Sequence, residues 1–168
     1  MNLVTALAIV IGLLSVLITW LFFGPLSGLS LWAAFIAWGS FFNQGGGESG
    51  LQKSLLGAIW GAVCATIAFM LLNSGILGGL GALGAPVAVG LTVALMILGA
   101  HIPLLSAIPA AVYGFASTAA FALMGNHVGD ALSTTVSASP ILNVVASMVI
   151  GGIFGYVSEK IAGALTAK

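Results

Sequence analysis

The chain has 168 residues, of which 61% are hydrophobic and only 4% are charged, and it has no net charge at pH 7. Soluble domains carry about a quarter charged residues, so this composition excludes a water-soluble globular protein. Three lysines without arginine also lack the basic footprint of a nucleic-acid-binding protein. We therefore expect one transmembrane domain, residues 1–168, whose surface faces a lipid bilayer.

Six continuous apolar runs predict membrane-spanning helices, because barrel strands would alternate polar and apolar residues over about ten positions. The first run lacks a basic leader and is longer than the apolar part of a signal peptide, so we interpret it as a span. Segment 76–89 is open to two interpretations, a loop plus helix or a re-entrant element. The predicted helices are 3–23, 29–43, 53–72, 82–99, 108–124 and 140–158.

The few basic side chains predict an orientation. With six spans, the second and fourth connections and both termini lie on one side of the membrane. The positive-inside rule assigns that side to the cytoplasm, so we predict a multi-pass bacterial inner-membrane protein with both termini cytoplasmic. The residues on that side are Lys53, Lys160, Lys168 and His101.

The two halves of the chain share a pattern. AAFIAWGS at 33–40 matches AAVYGFAS at 110–117, an offset of 77 residues. Each half contains an odd number of spans, so the second copy would cross the membrane in the opposite direction. We predict an all-α polytopic membrane protein in which six transmembrane helices form two inverted three-helix repeats, about 1–72 and about 80–158. The alternative is coincidence in a sequence rich in Ala, Gly, Leu and Val.

A second shared pattern is glycine-rich. GAIWGAV at 57–63 matches GGIFGYV at 151–157 with an offset of 94, which indicates 17 additional residues in the fifth connection. Glycines four residues apart let two helix backbones approach closely inside a membrane. We expect the third and sixth helices to cross near the repeat axis, although the same surfaces could join protomers. The predicted packing residues are Gly57, Gly61, Gly151 and Gly155.

The second and fifth predicted helices are the shortest. At 15 to 17 residues they reach about 22 to 26 Å, against a hydrocarbon core of about 30 Å. Short spans at matching positions of inverted halves are typical of a transport site. Hydroxyls and aromatic rings suit a small polar solute without charge, although the hydroxyls could instead bond to their own helices and the aromatic rings could only pack. The predicted path residues are Trp38, Ser40, Tyr113, Phe115, Ser117 and Thr118.

Charged side chains avoid the middle of every predicted span, which argues against a pump that works through buried carboxylates. His101 follows the fourth helix and could gate the path in response to pH. Asn43 and Gln44 precede the triple glycine and could form a mobile cytoplasmic lip. Each of these three residues has a plainer interpretation as part of an interface or a solvated turn.

Chemistry-bearing motifs are weak. His127 and Asp130 lie three residues apart in the fifth connection, but two ligands without a third give little support for a metal site. The sequence shows no nucleophile motif, phosphate-binding loop or paired carboxylates. We therefore predict neither a cofactor nor a bound metal, and we do not expect an enzyme.

Two stretches resemble a known family. SLWAAFIAWGSFFNQGGG at 30–47 and IPAAVYGFASTAAF at 108–121 are similar to a bacterial family called domain of unknown function 1097. The resemblance covers nearly the whole chain and implies a six-span inner-membrane protein. The family carries no assigned functional motif, so the resemblance implies no site residues. The inverted repeat is also similar in plan to urea channels, which is an analogy of architecture alone.

Two functions fit these observations. The first is a homo-oligomeric channel or facilitator for a small uncharged solute, such as an amide or a protonated short-chain acid. The second is a membrane scaffold or accessory subunit that binds another membrane protein through its small-residue faces. A constant partner at fixed stoichiometry would favour the scaffold, and solute flux would favour the channel.

Overall fold

The computed structural model describes residues 1–166, and every regular element in that range is helical. The predicted all-helical class is therefore confirmed, while Lys168, one of the orientation lysines, lies outside the described residues. The α-helices are α1 (Leu3–Phe23), α2 (Leu31–Asn43), α3 (Gly47–Asn73), α4 (Gly84–Leu98), α5 (Ile108–Met124) and α6 (Pro140–Thr166).

The apolar runs predicted α1 and α5 to the residue, but the sequence placed the start of α3 wrongly at residue 53. Helix α3 begins at Gly47 instead. The free backbone N–H groups at a helix start need acceptors, and the Gly47 N–H donates to the Glu159 carboxylate of α6 over 2.8 Å. This distant acceptor stabilises a first turn that local sequence alone assigned to a loop.

Helix α4 is shorter than α1 and follows an irregular segment. A 3₁₀ helix at Gly78–Leu83 runs into α4, and Gly81 within it has a φ of 53°. That left-handed conformation favours glycine. The sequence left segment 76–89 open to two interpretations, a loop plus helix or a re-entrant element. The structure shows the 3₁₀ helix Gly78–Leu83 followed directly by the start of α4.

Four helical stretches are long and apolar enough to cross a membrane, namely α1, α3, α6 and Gly78–His101, which contains α4. Helices α2 and α5 have 13 and 17 residues and reach about 20 and 26 Å, less than a hydrocarbon core of about 30 Å. Much of the outer surface is apolar, and Leu13, Val16 and Trp20 of α1 are each more than 60% exposed. The structure thus has the character of a membrane protein.

The helices pack in two strong pairs. Helix α3 packs mainly on α5, helix α6 packs mainly on α2, and α3 and α6 also contact each other. Helix α1 lies against α6, and α4 lies against α3, so these two helices flank the central four. Helices α2 and α5 are therefore held beside α6 and α3, the two longest helices. A groove lies between α2 and α5.

Candidate functional site

A groove with a volume of about 670 Å³ lies between α2 and α5. Residues three and four apart share one face of a helix, and each wall of the groove is such a face. No Asp, Glu, His, Lys or Arg is among the lining residues. They are Trp32, Phe35, Ile36, Gly39 and Ser40 from α2, and Tyr113, Ala116, Ser117 and Ala120 from α5.

Three of the six predicted path residues line this groove: Ser40, Tyr113 and Ser117. The structure therefore brings together the two serines that the sequence pattern aligned at an offset of 77. A hollow of similar volume, about 630 Å³, lies along the outside of α1. Its lining runs from Ser15 to Gly24 and joins no second helix, so it gives no comparable site.

The other three predicted path residues face away from the groove. The Trp38 indole N–H donates to the Ser158 hydroxyl of α6 over 3.1 Å. Phe115 belongs to a buried cluster with residues of α3 and α4. The Thr118 hydroxyl donates to the Gly114 carbonyl over 2.9 Å. Adjacent helical residues point about 100° apart, so a single face cannot hold all six.

The Ser40 hydroxyl has a hydrogen-bond partner inside the protein. The Ser54 hydroxyl of α3 donates to the Ser40 hydroxyl over 2.8 Å, and both side chains are buried. The sequence did not single out Ser54, although its position one turn before Gly57 places it on the face of α3 that approaches other helices. This pair joins α2 to α3 and leaves the Ser40 oxygen with an internal partner.

Ser117 is the exception among the buried polar side chains. It is 2% exposed, and its hydroxyl is the only buried side-chain polar atom within residues 1–166 that has no hydrogen-bond partner. Buried hydroxyls in helices usually donate to a carbonyl one turn earlier. Those that do so here are Thr66, Thr92, Thr118, Ser147 and Ser158.

The predicted repeat offers a reason for this difference between the two serines. Adding its offset of 94 to Ser54 gives Met148, so the residue that the prediction aligns with Ser54 has a thioether in place of a hydroxyl. Met148 is buried in a cluster against which Tyr113 and Phe121 pack, each one helical turn from Ser117. A thioether sulfur is only a weak acceptor. The Ser117 hydroxyl consequently remains unpaired at the groove.

The four predicted glycines lie at close helix contacts, but on α5 and α2 rather than between α3 and α6. A Cβ atom at Gly57 would meet Ala110 of α5 and the carbonyl oxygen of Ala107, which precedes α5, and one at Gly61 would overlap the Ala111 carbonyl oxygen. In the other half, Gly151 meets the Ala34 carbonyl of α2 and Gly155 meets the Phe41 ring. Absent side chains therefore permit both strong helix pairs.

A polar cluster that the sequence did not predict fixes the start of α2. Asn143 of α6 accepts from the Ser30 hydroxyl over 2.7 Å and donates to the Gly28 carbonyl over 2.6 Å. The Ser147 hydroxyl accepts from the Ser30 backbone N–H over 2.9 Å. The available signal was Asn143 itself, because a polar amide inside an apolar span needs partners.

The predicted gate residues lie outside the groove. His101 is exposed in a 3₁₀ turn after α4, while Asn43 ends α2 and Gln44 follows it. In the fifth connection, the His127 ring lies 2.8 Å from the Asp130 carboxylate and stacks on Phe121. Across residues 1–166, no group of three metal-binding side chains comes together.

The chain belongs to the family described as protein of unknown function (DUF1097), whose model matches residues 8–163. The resemblance seen in the two quoted stretches is thereby confirmed. Searches of curated proteins and of solved structures gave no significant match. The family description assigns no activity. The α2–α5 groove is the feature of the structure that bears on function.

Proposed function

We propose that the protein is a channel or facilitator for a small, neutral, polar solute in the bacterial inner membrane, and that the solute passes along the α2–α5 groove. The observation that carries this proposal is the position of the groove between α2 and α5, the two apolar helices that lie outside the four membrane-length stretches. Short spans in corresponding positions are where transport sites occur in inverted-repeat proteins. The groove lining offers hydroxyls without any ionisable acid or base.

The helix pairing supports six spans arranged as two inverted repeats. Exchanging the first three helices with the last three turns the α3–α5 pair into α6–α2, and the α3–α4 pair into α6–α1. Both members of each exchange are present. The groove lining obeys the same rule, because Ile36, Gly39 and Ser40 lie 77 residues before Tyr113, Ala116 and Ser117.

Contacts at one end of the bundle support the proposed orientation. Gly47 at the start of α3 bonds to Glu159 near the end of α6, and Ala6 of α1 packs with Ala162 of α6. The start of α1, the α2–α3 turn and the end of α6 therefore lie at one end of the bundle. Lys53 and Lys160 are close in sequence to these contacts, and the positive-inside rule assigns such an end to the cytoplasm.

The absence of charge from the groove favours a neutral solute. Burying an ion without a partner is far more costly than burying a neutral polar group that forms a hydrogen bond. Hydroxyls at the groove can replace part of the hydration shell of a neutral molecule. Ion conduction would call for charged rings or rows of backbone carbonyls along the path.

The open side of the groove favours a homo-oligomer. Trp32, Phe35 and Ile36 are between 37% and 41% exposed along its rim. A polar solute does not travel along a wall of lipid chains, so a neighbouring copy would close the groove. Self-association through the rim would make the path continuous within the assembly and would leave the outer face of α1 toward lipid.

Stopped-flow swelling of proteoliposomes in urea, formamide, acetamide, glycerol and short-chain acids tests the proposal. We expect at least one solute to enter faster than it enters empty liposomes. Gly39→Leu should suppress that entry, because Gly39 lines the groove and a Cβ there meets nothing within 4 Å. The leucine Cβ would meet no atom of the protomer, and the rest of its side chain would narrow the path.

Gly12→Leu is the matched control, because Gly12 of α1 also has open space around its Cβ position but lies outside the groove. It should leave entry unchanged. Wild-type protein that admits none of these solutes would count against a channel. Copurification with one membrane protein at constant stoichiometry would then favour the scaffold hypothesis.

A further inference from the structure

We propose that the Ser117 hydroxyl is the specificity-determining group of the groove and that it binds the polar end of a small neutral amide with an apolar end, such as acetamide. This inference rests on the proposed function, because it names the solute class for the same groove. It starts from the one buried side-chain N or O atom in residues 1–166 that the protein leaves without a partner.

An unpaired buried hydroxyl is costly for the protein alone. Burying a polar group without a hydrogen bond destabilises the folded state, and native proteins rarely leave such groups unsatisfied. Ser117 could in principle donate to its own helix, as Thr118 does next to it. It does not, and Ser117 lines the groove. Its oxygen is covered by protein, so the side chain has to rotate about its Cα–Cβ bond to bind a solute in the groove.

The groove provides one such subsite. In the first half, Ser40 already accepts from Ser54 over 2.8 Å. In the second half, the position equivalent to Ser54 is Met148, which supplies no hydroxyl. The inverted repeat has therefore lost its symmetry at the point where a solute would bind. The α5 wall therefore has a buried hydroxyl without a partner, whereas the buried hydroxyl of the α2 wall already has one.

The two walls differ in polarity, which selects an amphipathic solute. Tyr113 and Ser117 lie one turn apart on α5, so the polar groups of this wall share a face. The α2 wall opposite presents Trp32, Phe35 and Ile36, and its one hydroxyl, that of Ser40, is already bonded to Ser54. Urea carries polar groups on all sides and would bury some of them against apolar carbon, whereas acetamide presents a methyl group to that wall.

An amide fits better than a protonated acid. A hydroxyl both donates and accepts, so Ser117 can bind the carbonyl oxygen or the N–H group of an amide. A simple carboxylic acid with a pKa of about 4 is almost fully ionised at pH 7. No acidic, basic or imidazole side chain in the groove lining could hold its proton or balance its charge.

Entry rates for acetamide and urea, measured in parallel on proteoliposomes, test the solute class. Wild-type protein should favour acetamide over urea, relative to empty liposomes. Ser117→Ala should lower acetamide entry about three- to tenfold, as expected for one lost hydrogen bond, while urea entry changes less. Ser106→Ala is the control, because Ser106 is exposed and bonds only to the nearby Pro103 carbonyl.

Ser54→Ala provides a variant with the opposite expected effect. It removes the partner of Ser40 and frees a second hydroxyl on the α2 wall, so acetamide entry should rise or its preference over urea should shift. General destabilisation would lower entry in both Ser117→Ala and Ser54→Ala. Equal losses in the two variants would therefore overturn the role of Ser117.

A binding measurement separates this inference from the proposed function. Saturation-transfer NMR should detect the acetamide methyl group on the purified protein, and Ser117→Ala should reduce that signal about threefold or more. Entry of urea or glycerol with no amide preference would overturn the inference and leave a channel. Binding that is lost in Ser117→Ala without any flux would overturn the channel and leave the amide site.

Discussion

The α3–α5 and α2–α6 crossings are the two most extensive helix pairs, but they are held together differently. At α3–α5, two glycines face opposing backbones, since a Cβ at Gly61 would overlap the Ala111 carbonyl and one at Gly114 would overlap the Ala58 carbonyl. Within residues 1–166, no side-chain hydrogen bond joins these two helices. At α2–α6, Gly151 makes one such approach, and Ser30, Asn143 and their neighbours add hydrogen bonds.

This difference shows that one packing arrangement can be stabilised by two kinds of interaction. Where lipid removes most of the hydrophobic drive for helices to associate, dispersion between close backbones and interhelical hydrogen bonds remain. The α3–α5 crossing relies on the first. The α2–α6 crossing combines close backbone packing with hydrogen bonds. The two crossings should therefore respond differently to substitution.

Gly61→Ala should have the largest effect. The new methyl group would overlap the Ala111 carbonyl oxygen, which belongs to backbone and cannot move like a side chain. Overpacking typically costs about 1–3 kcal/mol, and we expect at least ~2 kcal/mol here. Denaturation of the purified protein in mixed detergent micelles would give the change in the free energy of unfolding.

Gly90→Ala serves as the control for that measurement. Gly90 lies in α4, and a Cβ there would meet nothing within 4 Å, so its substitution should leave the free energy of unfolding nearly unchanged or raise it. If Gly61→Ala were as mild as Gly90→Ala, close backbone contact would not be what holds α3 to α5.

Asn143→Ala should have an intermediate effect on the α2–α6 crossing. It removes hydrogen bonds to the Ser30 hydroxyl and the Gly28 carbonyl, and leaves the buried Ser30 side chain unpaired. We expect a loss of about 1–2 kcal/mol. The same denaturation measurement applies, with Ser106→Ala as a control at an exposed site. A neutral result would mean that packing alone secures this crossing.

Ser158→Ala should have the smallest effect of the three. It removes the acceptor of the buried Trp38 indole N–H, a bond of 3.1 Å, and interhelical hydrogen bonds in membranes average about 0.6 kcal/mol. A double-mutant cycle with Trp38→Phe isolates the pair. Coupling near zero would show that Trp38 contributes through contact with Phe154, its ring neighbour at 5.7 Å, and not through the hydrogen bond.

The sequence predicted the helices well wherever local pattern decides their limits. Helices α1 and α5 are bounded by Gly, Pro and small polar residues, and both limits of each were predicted. The start of α3 and the end of α6 were predicted wrongly. Helix α3 begins earlier than predicted because Glu159 accepts a hydrogen bond from its first turn, and α6 continues past its predicted end at residue 158 to Thr166. Such an acceptor comes from the other half of the chain and leaves no local signal.

The groove shows a similar division between what is local and what is not. The aligned serines and the short helices identified the α2–α5 region, and helical periodicity could have separated Ser117 from Thr118. Which hydroxyl is occupied depends on Ser54 and Met148, contributed by other helices. The sequence pattern predicts which residues share a face of a helix. Which other helix packs against that face is known only from the three-dimensional structure.

The bond between Glu159 and the Gly47 N–H also has a consequence for biogenesis. A ribosome delivers the polypeptide from its N-terminus, so the first turn of α3 exists for a time before its acceptor has been synthesised. That turn lacks its partner until the final helix has been translated and has reached its place. Completion of the earlier half thus depends on arrival of the later one, which couples the two during synthesis.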